Sequence, residues 1–213
     1  RESFGGTAGN IAYNLELLGH RPAVVAAAGH DVAPYRRWLM RRGVDCRAVR
    51  SVDDQPTAEV TIITDRDDNQ IAGFYVGAMR ARAPLPVAFA RGALYAIVAP
   101  GNVVDMRTLP ARYVRLGVPY LYDPGQQLPV LTGADLRRAI RGADGLVSND
   151  YELSLVQRKT GWALPQLLAA ARLVITTLGP KGSVVRTGRQ VVRVLAVTPR
   201  RVADPTGAGD AYR

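Results

Sequence analysis

The sequence has 213 residues, of which 47% are hydrophobic and 7% aromatic, and its formal net charge is +10. These values are typical of a globular protein with one sizeable core, and no apolar run approaches the roughly 20 residues of a membrane-spanning helix. The single cysteine, Cys46, excludes a disulfide framework and a thiolate metal cluster, and the scattered arginines predict a solvated basic surface with no nucleic-acid partner.

Helical and strand patterns alternate along most of the chain, with apolar residues at helical spacing and short continuous apolar runs typical of buried strands. In chain order we predict helix Asn10–Leu18, strand Pro22–Ala28, helix Pro34–Arg42, strand Leu94–Ala99, helix Asp105–Leu116, strand Tyr120–Tyr122, helix Asp135–Arg141, strand Gly145–Ser148, helix Tyr151–Thr160 and strand Leu173–Thr177. Buried strands separated by helices imply parallel crossovers. The predicted fold class is therefore α/β, a three-layer sandwich with a mostly parallel central sheet.

Two segments interrupt this alternation. Thr57–Thr64 and Gln70–Val76 are rich in β-formers and are joined by the polar turn Asp65–Asn69, which predicts a hairpin. The hairpin is either an extra edge of the sheet or a β lid over a substrate cleft. A second hairpin is predicted from Gly182–Thr187 and Gln190–Val197.

A glycine-rich turn, Asp204–Asp210, is a candidate catalytic element and should open a helix. The backbone N–H groups of Gly207, Ala208 and Gly209 would converge on an anion, supported by the positive end of the helix dipole. Asp210 would lie beside this anion hole and accept the proton of an attacking hydroxyl. The alternative is a plain glycine-rich turn in which Asp210 is only a first-turn helix residue.

A second glycine-rich segment opens the first helix. Gly5 and Gly6 permit close approach of a ligand, and Asn10 offers donors and acceptors to substrate hydroxyls. Alternatively, Asn10 only caps the helix. The glycine spacing does not match the dinucleotide fingerprint and no G-x-x-x-x-G-K-[ST] motif occurs, so a Walker-type NTPase is excluded.

Two further motifs follow strand ends. Asn149 and Glu152, at a helix start, are suited to hold hydrated Mg²⁺ near phosphates or simply to form a favourable first turn. Thr177–Gly182 looks like a nucleotide-contacting loop. Since ligands of open α/β sheets gather outside the carboxyl ends of strands, we expect these motifs and the glycine-rich turn at one edge. His20 and His30 are the only histidines, which gives little support to a triad or a zinc site.

Taken together, these residues resemble the ribokinase-like (PfkB) carbohydrate and nucleoside kinases over essentially the whole sequence. Asn149–Glu152 is similar to the family's N-x-x-E element, Thr177–Gly182 to its T-x-G-x-x-G ATP loop, and Asp204–Asp210 to its second signature. The N-terminal signature is present as Gly9, Asn10, Ala12, Gly19 and Gly29.

The resemblance implies roles for the residues that carry it. It implies ATP as the phosphoryl donor, Asp210 as the base, the amides of Gly207 to Gly209 as the anion hole, and Glu152 as a Mg²⁺ ligand through water. It implies a β lid, residues 52–78, that closes over the sugar, and it leaves a monovalent cation such as K⁺ open. The implied substrate-binding residues are Gly5, Gly6, Asn10 and Phe74, and the implied nucleotide-binding residues are Asn149, Glu152, Thr177, Gly179 and Gly182.

Several stretches resemble bacterial adenosine kinases of this family. These are Gln70–Tyr75, Gly77–Met79, Asp123–Gln127, Asn149–Glu152, Lys159–Trp162 and Thr176–Gly182. Asp123–Gln127 stands where many sugar kinases carry Asp-x-Asn-x-Arg, and Pro205 replaces their usual Thr; both departures favour the nucleoside branch. Phe74 on the lid either stacks on a purine or belongs to the lid core. Val60 stands where the similar adenosine kinases have an aromatic residue.

The sequence therefore predicts a cytoplasmic phosphotransferase that moves the γ-phosphate of ATP to the 5′-hydroxyl of a nucleoside, first of all adenosine, in purine salvage. The alternatives are a sugar kinase of the ribokinase or fructokinase type and a non-catalytic ligand-binding homologue. We expect a small-molecule nucleoside or sugar partner, no membrane, and a monomer or homodimer. The sequence stops three residues after Asp210. We therefore expect residues 1–213 to form a partial ribokinase-like domain, without its first strands and C-terminal helices and inactive alone.

Overall fold

The structure is a computed structural model that describes residues 3–65, 70–83, 85–200 and 206–213. The chain forms two compact units, Arg1–Leu85 and Pro86–Arg213. The strands are β1 (Ala23–Gly29), β2 (Asp45–Val52), β3 (Glu59–Thr64), β4 (Gln70–Tyr75), β5 (Ala96–Val98), β6 (Tyr120–Tyr122), β7 (Gly145–Asn149), β8 (Leu173–Thr177), β9 (Ser183–Thr187) and β10 (Val191–Val194). The helices are α1 (Thr7–Leu17), α2 (Ala33–Arg41), α3 (Val87–Arg91), α4 (Val103–Leu116), α5 (Gly133–Ile140), α6 (Asp150–Thr160), α7 (Leu164–Ala170) and α8 (Ala208–Tyr212).

The second unit is built on a six-stranded sheet in the order β10-β9-β8-β7-β6-β5. Strands β5 to β8 are parallel, and β9 and β10 add an antiparallel edge. Helices α4 to α7 lie in the crossovers between the parallel strands and cover the sheet, which is why these strands are mostly apolar. The carboxyl ends of β5 to β8 consequently face one edge of the sheet.

The first unit contains a parallel pair, β1 and β2, and the antiparallel hairpin of β3 and β4. Helices α1 and α2 cover the parallel pair. Their shared core comprises Ala12, Val24, Leu39, Val44 and Cys46. No helix in the described ranges is both long and apolar enough to span a bilayer.

The predicted α/β class, with its alternating order, is confirmed, and two predicted strands, Tyr120–Tyr122 and Leu173–Thr177, have the predicted ends. Three elements escaped prediction: β2, α3 and α7. The second hairpin is shorter than expected because its outer strand ends at Val194 rather than Val197. Of the predicted turn Asp65–Asn69, residues 66–69 lie outside the described residues.

Candidate active site

The predicted nucleotide motifs meet at the carboxyl edge of the second unit's sheet. Asn149 is the last residue of β7 and Thr177 the last of β8, and the two are paired in register. Asp123 directly follows the neighbouring strand β6, and its backbone N–H donates to the carbonyl of Val98 at 2.9 Å. Since β6, β7 and β8 are parallel neighbours, these three polar residues belong to one edge, where the sequence predicts Asn149 and Thr177 but not Asp123.

Asn149 and Glu152 form a capping box at the start of α6. The Glu152 N–H donates to Asn149 Oδ1 at 2.7 Å, and the Asn149 N–H donates to Glu152 Oε2 at 2.8 Å. The prediction of a favourable helix start is therefore confirmed. The box uses one of the two carboxylate oxygens of Glu152 and holds that carboxylate beside the sheet edge.

The Thr177–Gly182 loop folds back on itself in a 3₁₀ turn, Gly179–Lys181. The Leu178 N–H donates to the Gly182 carbonyl at 2.8 Å, and Gly182 has a φ of 83°. A Cβ on Gly182 would overlap the carbonyl oxygen of Val194, so only glycine fits this close approach of two backbone segments.

The C-terminal segment reaches the same edge. Of the Asp204–Asp210 turn, Asp204 and Pro205 lie outside the described residues. Gly207, with a φ of 80°, caps α8, and Asp210 lies in its first turn, so the predicted helix start is confirmed. The hydroxyls of Tyr212 and Ser183 are 2.5 Å apart, and Ser183 is the register partner of Thr177. This contact ties α8 to the end of β8.

A second contact ties α8 to the end of β6. The Arg213 Nε lies 2.5 Å from Asp123 Oδ2, and Arg213 Nη1 donates to Asp210 Oδ1 at 3.1 Å. The first contact is an ion pair without the alignment of a hydrogen bond, since Arg213 Nε has no hydrogen-bond partner of good geometry among the described residues. One guanidinium thus bridges two carboxylates.

Asp123 is an unusual carboxylate because its side chain is 0% exposed. Burial raises its pKa to about 7; the charge of Arg213 opposes this rise, whereas the charges of Glu152 and Asp210 add to it. Three acidic groups and one arginine therefore share this part of the edge. Sequence reasoning quoted Asp123 only as a departure from a sugar-kinase pattern and overlooked Arg213. The available signal was an Asp directly after a buried strand.

The predicted substrate residues Gly5, Gly6 and Asn10 belong to the first unit. Gly6 is the N-cap of α1 and Asn10 lies inside the helix, so the alternative that Asn10 caps the helix is wrong. The Tyr35 hydroxyl donates to the Gly5 carbonyl at 2.9 Å. A Cβ on Gly9 would overlap that hydroxyl, so a larger residue at this position would displace the Tyr35 side chain. Burial raises the pKa of Tyr35 to about 12, so the hydroxyl remains a donor at neutral pH.

Phe74, the other predicted substrate residue, lies on β4 of the hairpin. Its register partner on β3 is Val60, the residue expected in the facing position. Both side chains are more than half exposed, at 58% and 53%. Phe74 is therefore not part of a packed core within the hairpin.

The chain just before β3 is fastened to the end of β1. Asp31 Oδ1 accepts hydrogen bonds from the Thr57 N–H at 2.8 Å and from its hydroxyl at 2.5 Å. The Thr57 hydroxyl oxygen in turn accepts from the Gly29 N–H at 2.9 Å. The hydrogen bond from the Thr57 side chain is the main cause of the lowered pKa of Asp31. These hydrogen bonds therefore fix the chain at Thr57, two residues before the first strand of the hairpin.

The donor set suits a hydrated metal ion better than a caged one. In the part of the chain that the structure describes, no group of three or more His, Cys, Asp or Glu side chains is arranged to hold a metal. Mg²⁺ commonly keeps several waters and binds through one or two carboxylates together with substrate phosphates. The Glu152 carboxylate, held at the edge by its capping box, fits that manner of binding.

Comparison with known proteins decides the family. The family model described as pfkB family carbohydrate kinase matches residues 1–213. The chain belongs to the pfkB family of carbohydrate kinases. A nucleoside kinase of Methanothermobacter thermautotrophicus is 33% identical over 100% of this chain and 70% of its own length.

Solved structures agree with this membership. Burkholderia thailandensis nucleoside kinase in complex with inosine superposes with a TM-score of 0.90 at 38% identity, covering 100% of this chain and 70% of that chain. The same protein in complex with ADP-inosine gives a TM-score of 0.88 over 67% of its length. The Methanocaldococcus jannaschii nucleoside kinase, described as an archaeal member of the ribokinase family, gives 0.87 at 25% identity, over 100% of this chain and 71% of that chain.

Membership in the pfkB family confirms three predictions. The fold is the ribokinase-like α/β fold, the protein is a phosphotransferase with a hydroxyl acceptor, and ATP is the donor that this kinase family uses. The structure gives the positions of the individual site residues, and their roles remain predictions.

Proposed function

We propose that this pfkB-family kinase transfers the γ-phosphate of ATP to the 5′-hydroxyl of a purine nucleoside, with adenosine as the first acceptor to test and inosine as the second. The observation that carries the proposal is the position of α8. Two contacts, from Tyr212 to Ser183 and from Arg213 to Asp123, hold Asp210 at the sheet edge where β7 and β8 end in the ATP motifs.

The proposed chemistry is an in-line displacement. The 5′-hydroxyl oxygen attacks the γ-phosphorus, the bond between that phosphorus and the β,γ-bridging oxygen breaks, and ADP leaves with the electron pair. Asp210 accepts the hydroxyl proton. The N–H groups of Gly207, Ala208 and Gly209 at the start of α8 stabilise the charge on the phosphoryl oxygens.

The remaining predicted residues bind and orient the two substrates. Thr177, Gly179 and Gly182 contact the nucleotide, and Asn149 fixes the carboxylate of Glu152. Mg²⁺, when bound through water by Glu152, would neutralise phosphate charge. The proposal leaves a requirement for K⁺ open.

The acceptor side belongs to the first unit. Gly5, Gly6 and Asn10 bind ribose hydroxyls, and residues 52–78 act as the lid. The exposed ring of Phe74 offers a face on which a purine can stack, a contact worth about 1–3 kcal/mol per base. The relatives named nucleoside kinases, one of them solved with inosine, support a nucleoside acceptor over a free sugar.

A substrate panel with the full-length protein tests the proposal. ATP-dependent phosphorylation is measured with adenosine, inosine, ribose and fructose at equal concentrations. We expect turnover of at least one purine nucleoside with a kcat/KM at least about 10²-fold above that of either free sugar, because a ribose site with base stacking is left partly unfilled by the sugar alone. Comparable turnover of ribose or fructose with none of the nucleosides would favour a sugar kinase. Absence of turnover with all four would favour a ligand-binding homologue.

A further inference from the structure

The side chain of Arg213 lies between two carboxylates, those of Asp123 and Asp210. The Asp123 side chain is 0% exposed and directly follows β6, and the Asp210 side chain is 13% exposed in the first turn of α8. The Arg213 Nε is 2.5 Å from Asp123 Oδ2 and its Nη1 is 3.1 Å from Asp210 Oδ1. The guanidinium is planar and rigid, so its two contacts fix the position of Asp210 relative to the sheet.

The backbone around Asp123 is held in place by neighbouring residues. The Asp123 N–H donates to the Val98 carbonyl on β5 at 2.9 Å. Gly125, two residues on, has a φ of 35°, and a Cβ there would crowd both Pro100 and the Asp123 carboxylate. The loop after β6 therefore folds tightly around Asp123 and leaves its carboxylate little freedom.

Arg213 is poorly placed to contact a substrate. Its side chain is 10% exposed, and two of the three guanidinium nitrogens, Nε and Nη1, contact carboxylates. A cation of this kind also offsets the repulsion between Asp123 and Asp210, which would otherwise push α8 away from the edge. The arrangement favours a role exerted through Asp210.

We propose that Arg213 is a positioning residue, which couples the buried Asp123 to Asp210 and holds the proposed base in the orientation needed to accept the substrate proton. This role rests on the proposed function. A base displaced by about 1 Å from its working position can lose about 10²-fold in rate, so the coupling should appear in kcat.

The test uses the full-length protein with ATP and the nucleoside that it turns over best. Arg213→Gln removes the link, and Asp123→Asn with Arg213→Gln removes both charges so that no unpaired buried charge remains. Arg213→Lys keeps the charge without the planar fork. The matched control is Arg172→Gln, because Arg172 also pairs with an aspartate, Asp144, at 2.9 Å, but its side chain is 83% exposed.

We expect kcat to fall about 10²-fold in Arg213→Gln and in the double variant, with KM for ATP and nucleoside within about threefold of wild type. The kcat of Arg213→Lys should fall by an intermediate amount, about 10-fold, and the kcat of Arg172→Gln should stay within about twofold of wild type. In an Asp210→Asn background, adding Arg213→Gln should change the residual rate less than about twofold, because the residue that it positions is already inactive. A purely structural role would not produce this non-additivity.

The melting temperature of every variant is measured to separate a loss of folding from a loss of activity. A kcat within about threefold of wild type in the folded double variant, or an effect confined to KM, would overturn the role of Arg213. If the double variant does not fold, Arg213→Lys decides: an unchanged kcat overturns the role, and a loss near 10-fold at an unchanged melting temperature supports it. Failure of the wild-type protein to phosphorylate any nucleoside would instead contradict the proposed function, and this role with it.

Discussion

The carboxylate of Glu152 has two roles that a single substitution can distinguish, one in the capping box of α6 and one in the proposed binding of Mg²⁺. This carboxylate accepts the Asn149 N–H at 2.8 Å, a structural role, and it is also the proposed ligand of hydrated Mg²⁺. The substitution Glu152→Gln keeps the first role, because a glutamine oxygen can accept the same hydrogen bond in a capping box. It removes the negative charge that the second role needs.

The magnitudes for the two roles differ enough to be distinguished. Loss of one acidic charge from the first turn of a helix costs about 0.3–1 kcal/mol of stability through the helix dipole. Loss of a metal-binding or metal-supporting group costs about 10–100-fold in metal affinity or activity. We therefore expect Glu152→Gln to unfold at nearly the wild-type urea concentration but to need about 10–100 times more Mg²⁺ for half-maximal phosphoryl transfer.

Asp150→Asn is the matched control for this experiment. Asp150 lies on the same helical turn, is exposed, and its Oδ1 accepts the Tyr151 N–H at 2.9 Å. Its substitution removes the same charge from the same helix terminus without touching the proposed ligand. A Mg²⁺ dependence of Glu152→Gln equal to that of Asp150→Asn would refute the metal role and leave Glu152 as a helix cap.

Three further predictions concern the supports of the site. Lys159→Met should destabilise the protein by about 1–3 kcal/mol in urea unfolding, because Lys159 Nζ donates to three backbone carbonyls, at 2.5, 3.0 and 2.9 Å, that would be left without this donor; a loss below about 0.5 kcal/mol would contradict this account. Gly182→Ala should raise the KM for ATP and lower the free energy of unfolding by about 1–3 kcal/mol, since the φ of 83° at Gly182 and the nearby Val194 carbonyl exclude a Cβ. A wild-type KM together with a wild-type free energy of unfolding would show that the loop tolerates a Cβ at this position. Burial raises the pKa of Asp123 from an ordinary 3.8 to about 7 in the folded state, so the folded state holds the extra proton and this group's contribution to stability falls as pH rises from about 4 to about 7. Asp123→Asn removes that dependence, so its unfolding free energy relative to wild type should rise over this interval by about 1.4 kcal/mol per pH unit at most, and a flat difference would argue against a raised pKa.

The elements that could be predicted from the sequence are those in which one physical signal dominates. Strands β6 and β8 consist of apolar and other β-forming residues between helices, and their ends were predicted correctly. Strand β2 was missed because half of its residues are polar or charged and only Cys46 and Ala48 are buried, which leaves no continuous apolar run. Helix α7 was missed because it is short and starts next to a proline.

The candidate site likewise contains features that the sequence predicts and features that it does not. Motifs that are local in sequence, such as Asn149 with Glu152 and the Thr177–Gly182 loop, were recognised directly. The pairing of Arg213 with Asp123 joins residues far apart in the chain, and no local pattern announces it. Predicting it requires knowing that α8 returns to the end of β6, which is a property of the tertiary fold.

Whether Asp210 is the base of a nucleoside kinase is tested by the kcat of Asp210→Asn in the full-length protein, with ATP binding measured in parallel. We expect kcat to fall about 10²–10⁴-fold, the usual contribution of a general base, with ATP affinity unchanged. A kcat equal to wild type, with phosphorylated nucleoside still formed, would contradict this role.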